Sequence, residues 1–186
     1  MVVRGLLIVQ PEHPASNRNE DATRLDFATR TANQVTEITD LDDQADPIPG
    51  LEQAVEEAPN DAKALVALAN AYWLTGRGPE ATGDLASRAI AADPDNRAGW
   101  HLWALSESNP RERVTRWQQV STRFPQDDLA RANVADNAAA LAGAEKDYDA
   151  LDLAIATYEQ LLATATHKEQ REALDTALRN LRGWRF

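Results

Sequence analysis

The chain contains no cysteine, so disulfides, thiolate nucleophiles and cysteine-held zinc or iron–sulfur centres are excluded. It also lacks any long apolar run. The longest near the N-terminus is Leu6–Val9, bounded by Gly5 and Pro11, against the roughly 20 residues needed to span a bilayer. That run is also shorter than the apolar region of a secretory signal, so no direct membrane span is expected and the expected location is cytoplasmic. Lysine is scarce: the 19 basic residues are nearly all arginine, and they are scattered. With 30 acidic residues the net charge is −11, and this opposes nucleic-acid binding, which depends on clustered cations.

The signatures of common catalytic sites are missing too. No G-x-S-x-G, H-E-x-x-H or G-x-x-x-x-G-K-[ST] string occurs. His13, His101 and His167 stand apart from one another, and none forms the i, i+4 pair of a helical metal site. Asp40-Leu41-Asp42-Asp43 looks like the start of a calcium loop, but Ala45 occupies the position where such a loop needs glycine. It reads as a solvated linker. The expectation is a chain with no catalytic residues, no metal and no cofactor.

What is present is helical periodicity with repeated punctuation. Asp61 is placed to cap a helix through Leu65 and Tyr72 that Gly76 ends. Gly78 and Pro79 open the next, with proline where its missing N–H costs nothing. Asn109 and Pro110 repeat that logic, with Glu112 placed to close a capping box. Pro59, Pro94 and Pro125 fall 35 and 31 residues apart. Leu51, Ala54 and Val55 before Pro59 read as the second helix of a repeat whose first helix is missing or atypical.

These positions fill the slots W-x2-L-G-x2-Y, then A-x3-F, then P. Leu65, Leu68, Ala69, Tyr72, Ala81, Leu85 and Pro94 fill them once, with one extra residue before the proline. Trp100, Trp103, Ala104, Trp117 and Pro125 fill them again, with Glu107 and Arg113 where Tyr and Ala are expected. A third repeat over 127–165 carries Ala154, Tyr158 and Leu161. Its first helix fits at Ala138, Leu141 and Ala142 or at Arg131, Val134 and Ala135, as one long helix of about 127–145 would. Over residues 47–165 the chain thus resembles the tetratricopeptide repeat (TPR) family.

The resemblance implies an all-α fold: a solenoid of about three TPR-like helical hairpins over 47–166. A capping helix would follow over 167–186, opened by Thr166 with Glu169 and striped by Leu174, Ala177, Leu178, Leu181 and Trp184. Residues 1–46 form an extension outside the resemblance, with Leu6–Val9 a short strand or docking peptide, a candidate helix over 20–39 and an acidic link. Trp100, Trp103 and Trp117 fall in slots that TPR helices bury; Trp73 does not.

TPR proteins hold partner segments on the concave face, built from first helices. Carried over slot by slot, that face implies a groove of Lys63, Val66, Asn70, Trp73, His101 and Leu105, with Ala98, Ser108 and Asp136 beside it. Only Lys63 and Asn70 are similar to the carboxylate clamp of some family members, so a mixed, mainly apolar groove is expected. The expected function is a non-catalytic protein-interaction module, an adaptor or assembly factor whose partner is a protein segment. The alternative is a structural accessory subunit of a larger complex, anchored through residues 1–48.

Overall fold

The structure, a computed structural model, describes residues 46–186. The candidate helix at 20–39, the Leu6–Val9 run and all but the last three residues of the acidic link at 40–48 lie outside them. The described residues form eight helices and no strand: α1 (Ile48–Glu57), α2 (Ala62–Thr75), α3 (Pro79–Ala92), α4 (Arg97–Leu105), α5 (Pro110–Arg123), α6 (Asp128–Glu145), α7 (Tyr148–Thr164) and α8 (Lys168–Arg182). Each helix packs on the next in sequence, and α2 also touches α4. Short links between helices that pack along one another return the chain antiparallel, so α2 and α4 run the same way.

Three of the links are copies of one turn. Ala58, Asp93 and Phe124 end α1, α3 and α5 with backbone angles (φ, ψ) of −133°, 76°; −141°, 95°; and −122°, 75°. Their carbonyls accept the N–H three residues on, from Asp61, Asn96 and Asp127, at 3.0, 3.1 and 2.9 Å. The side chain of that third residue then caps the following helix: Asp61 accepts from Lys63 N–H, Asn96 from Gly99 N–H and Asp127 from Leu129 N–H. The prolines lie inside these turns and expose carbonyls that Arg88, Trp100 and Arg131 bond. The proline spacing in the sequence therefore marks a repeated piece of backbone.

The other links differ from one another. Gly76 ends α2 in the left-handed region at φ 73°, and Arg77 N–H reaches back to the Tyr72 carbonyl at 2.9 Å, a Schellman closure. Lys146 ends α6 with φ 55° although it has a side chain, and Asp147 at once caps α7 through Ala150 N–H. Asn109 caps α5 as expected, through Arg111 and Glu112 N–H. The capping box is not closed by Glu112, however: the Asn109 N–H donates to Glu107 Oε1 at 2.8 Å. Nor does Thr166 cap the last helix. His167 holds that position without a side-chain bond, and Arg171 fixes the turn by donating to the Leu162 and Ala165 carbonyls.

Side chains pack in three apolar clusters along the helices. The first joins α1 to α4 around Leu65, Leu68, Leu85 and Leu102. The second, around Trp117, Val120 and Val134, joins α4, α5 and α6. The third, around Leu141, Leu151 and Leu181, takes in α5 to α8. Trp103 packs against both of the first two. In α8, Leu178 and Leu181 are buried, and just beyond its end Trp184 packs over Gly143, where an added Cβ would lie 3.2 Å from the indole. Trp117 is buried, at 3% exposure. Trp100 and Trp103 are corrected: both are only half-buried, Trp100 because its Nε1–H turns outward to the Pro94 carbonyl at 2.9 Å, and Trp103 because it lies under the Arg116 guanidinium at 4.5 Å.

Candidate functional site

The six residues expected to form a groove fall on two helices that touch. Lys63, Val66, Asn70 and Trp73 recur at helical spacing along one side of α2. Lys63 is exposed and the other three are half-buried. Val66 and Trp73 lean on the first apolar cluster, which accounts for their partial burial. On α4, His101 and Leu105 are half-buried one turn apart, and Arg97 lies one turn before them. Ala98 and Ser108 are exposed, while Asp136 on α6 accepts a hydrogen bond from the Tyr158 hydroxyl.

Leu74, next to Trp73, is missing from the sequence-based set. It is 56% exposed, the most exposed of the large hydrophobic residues described. Its signal was a leucine outside every repeat slot, in a position where a purely structural helix would carry a polar residue.

His101 turns out to have a partner within the chain. Its Nε2 lies 2.6 Å from Asp127 Oδ2, and its ring meets the Trp117 indole edge-on with centroids 5.4 Å apart. Only 15% of the His101 side chain and 5% of the Asp127 side chain are exposed. Asp127 also caps α6, with Oδ1 accepting from Leu129 N–H at 3.1 Å and Ala130 N–H at 3.2 Å. Burial pushes the Asp127 carboxyl up, but the His101 hydrogen bond and charge, the Ala130 N–H and the Arg97 charge outweigh it and hold the carboxyl below its ordinary range. His101 is thus a strut between α4 and the start of α6. Trp117 Nε1–H is buried beside it with no acceptor among the described residues.

The two departures from the repeat slots explain each other. Arg113 donates to the Glu107 carbonyl at 3.0 Å and to Asn137 Oδ1 at 2.9 Å. Arg116 donates to the Trp103 carbonyl at 2.8 Å and pairs with Glu107 at 2.6 Å. A polar clasp between α4, α5 and α6 therefore forms around these two positions.

No group of His, Asp and Glu among the described residues could hold a metal ion. No helix among them is long and apolar enough to cross a membrane. A recess wide open to solvent is lined by Trp100, Thr115, Gln118, Gln119, Thr122 and Arg123, and includes none of the expected groove residues. No model of a known protein family matches the chain, and no curated protein matches its sequence.

Proposed function

We propose that this chain is a non-catalytic protein-interaction module of the cytoplasm, an adaptor or assembly factor built as a TPR-like solenoid. The partner segment lies along α2 and α4, on Lys63, Val66, Asn70, Trp73, His101 and Leu105, with Leu74 at the edge. The observation that carries this reading is the pairing of half-buried Trp73 with exposed Leu74 on a helix in contact with α4. Aromatic residues set in apolar surroundings and open on one side are the usual centres of binding energy. The three similar turns support the solenoid, because they set α2, α4 and α6 at equivalent places in the chain.

The test is capture of proteins from the native host on the full chain beside its Trp73→Ala variant. Proteins retained by the parent and lost by a variant of unchanged melting temperature are expected. Identical retention on both would remove this face from the reading.

A further inference from the structure

We infer that the segment bound along α2 and α4 is apolar at one end and acidic at the other, and that it is read internally, without need of a free C-terminus. This rests on the groove reading above and adds the chemistry of the partner. The argument starts from where charge is missing. The chain carries 30 Asp and Glu against 19 Lys and Arg, yet α2 and α4 contain no carboxylate. Their only ionisable side chains besides Tyr72 are Lys63, Arg97 and His101. The helices α1 and α7 are the reverse, with acidic residues and no Lys or Arg. Acidic charge thus spread by chance would have reached the two helices that touch; it has not.

Polarity along the helices follows. Lys63 and Arg97 lie in the first turns of α2 and α4, where the backbone itself presents partial positive charge. Basic residues there work against helix stability, so their placement calls for another reason. The carboxylates at this edge are engaged. Asp61 accepts from Lys63 N–H at 2.8 Å and Ala64 N–H at 3.4 Å, and Asp127 holds both His101 and the start of α6. Trp73, Leu74 and Leu105 lie at the opposite, C-terminal ends of the same helices. From Lys63 to Trp73 the helix rises about 15 Å, the length of roughly five extended residues. A short segment therefore reaches both ends. Lys63 is exposed, and Arg97 lies 3.8 Å from Asp127 with 52% of its side chain still exposed, so the two form no closed clamp and attract side-chain carboxylates as well as a terminal one.

A library of random 12-residue peptides, displayed on phage through their C-termini and selected on the intact chain, tests this. Enriched sequences should carry Asp and Glu several-fold over Lys and Arg, together with Leu, Ile, Phe or Trp. A synthetic copy with an amidated C-terminus should bind as well as the free acid. The double variant Lys63→Gln/Arg97→Gln should weaken it about 3–10-fold at low salt, with the difference vanishing near roughly 0.5 M salt as screening sets in. The glutamines keep the stems, and circular dichroism checks that the helices remain. Enrichment of basic or uncharged sequences, or loss of binding on amidation, overturns the inference while Trp73→Ala still weakening them keeps the groove. Binding indifferent to Trp73→Ala overturns the groove reading itself, and no enrichment overturns both.

Discussion

Removing the Asp127 side chain tests how α4 is tied to the repeat that follows. Two effects add in Asp127→Ala. The α6 N-cap is lost, which costs about 1 kcal/mol in most proteins. The bond to His101 is lost too, at about 1–2 kcal/mol once discounted from the 1.5–3 typical of charged hydrogen bonds for the part of the imidazole that stays wet. A total of about 2–3 kcal/mol should appear in urea denaturation followed by tryptophan fluorescence, since Trp117 lies against His101. Asp127→Asn keeps a capping oxygen and a group able to meet the imidazole, so it should cost about half as much. The acid limb follows from the depressed folded pKa. With the folded value below the unfolded one, the contribution is fully present above the ordinary carboxyl value of 3.8 and is lost as pH falls through the lower folded value. Asp127→Ala should therefore flatten the acid limb below about pH 4. A loss under about 0.5 kcal/mol in Asp127→Ala, or equal losses in Ala and Asn, would refute the reasoning: the first denies the strut, and the second makes it one of charge alone.

Other consequences are separable. Trp117→Ala should cost about 3–5 kcal/mol and Trp100→Ala no more than about half of that, because one ring is buried and the other half-wet; equal losses in equilibrium denaturation would contradict the packing. Trp117→Phe should cost far less than Trp117→Ala, since it removes an indole N–H buried without an acceptor. Truncation before Lys168 uncovers the side of α7 on which α8 packs through Leu181, and the shortened chain should associate in sedimentation velocity, whereas a monomer with unchanged melting would deny α8 its capping role. Tyr158 is pushed well above the ordinary tyrosine value, by burial first and then by Asp136. Its folded pKa exceeds the unfolded one, so its neutral form stabilises the fold up to about pH 10 and stability should fall as pH rises beyond that, which alkaline denaturation of the parent and Tyr158→Phe would compare.

How much could be read from the residues alone divides along physical lines. Capping and turn signals act locally: Asp61, Gly76, Pro79 and Asn109 each occupy the place their chemistry dictates, and the α6 span of Asp128–Glu145 follows from a face shared by two slot registers. The proline spacing was legible for the same reason, because a proline after a helix end restricts only its own turn. What slot matching could not supply is how far a side chain in a slot is covered. A slot names the side of the helix, and the covering atoms come from elsewhere. Trp103 sits in its slot, but the residue above it is Arg116, whose guanidinium needs solvent and the Glu107 carboxylate and so keeps the indole half-open. Thr166 failed for a different reason: the last helix starts one residue later, with His167 at the cap position, so the Thr166 hydroxyl is out of register with the first N–H groups.

His101 shows where the limit lies for the site. Its position on the side of α4 shared with Leu105 is set by the 3.6-residue period and was legible. Its bond to Asp127 spans 26 residues and depends on the turn at Phe124 having the same geometry as those at Ala58 and Asp93. In the two earlier turns the capping oxygen belongs to Asp61 and Asn96, and neither meets a histidine among the described residues. The same backbone device thus has a second task at Asp127, where one carboxylate oxygen caps α6 and the other meets the imidazole. His101 therefore ties α4 to the start of α6, and a change at Asp127 is expected to reach the α2–α4 face through that ring.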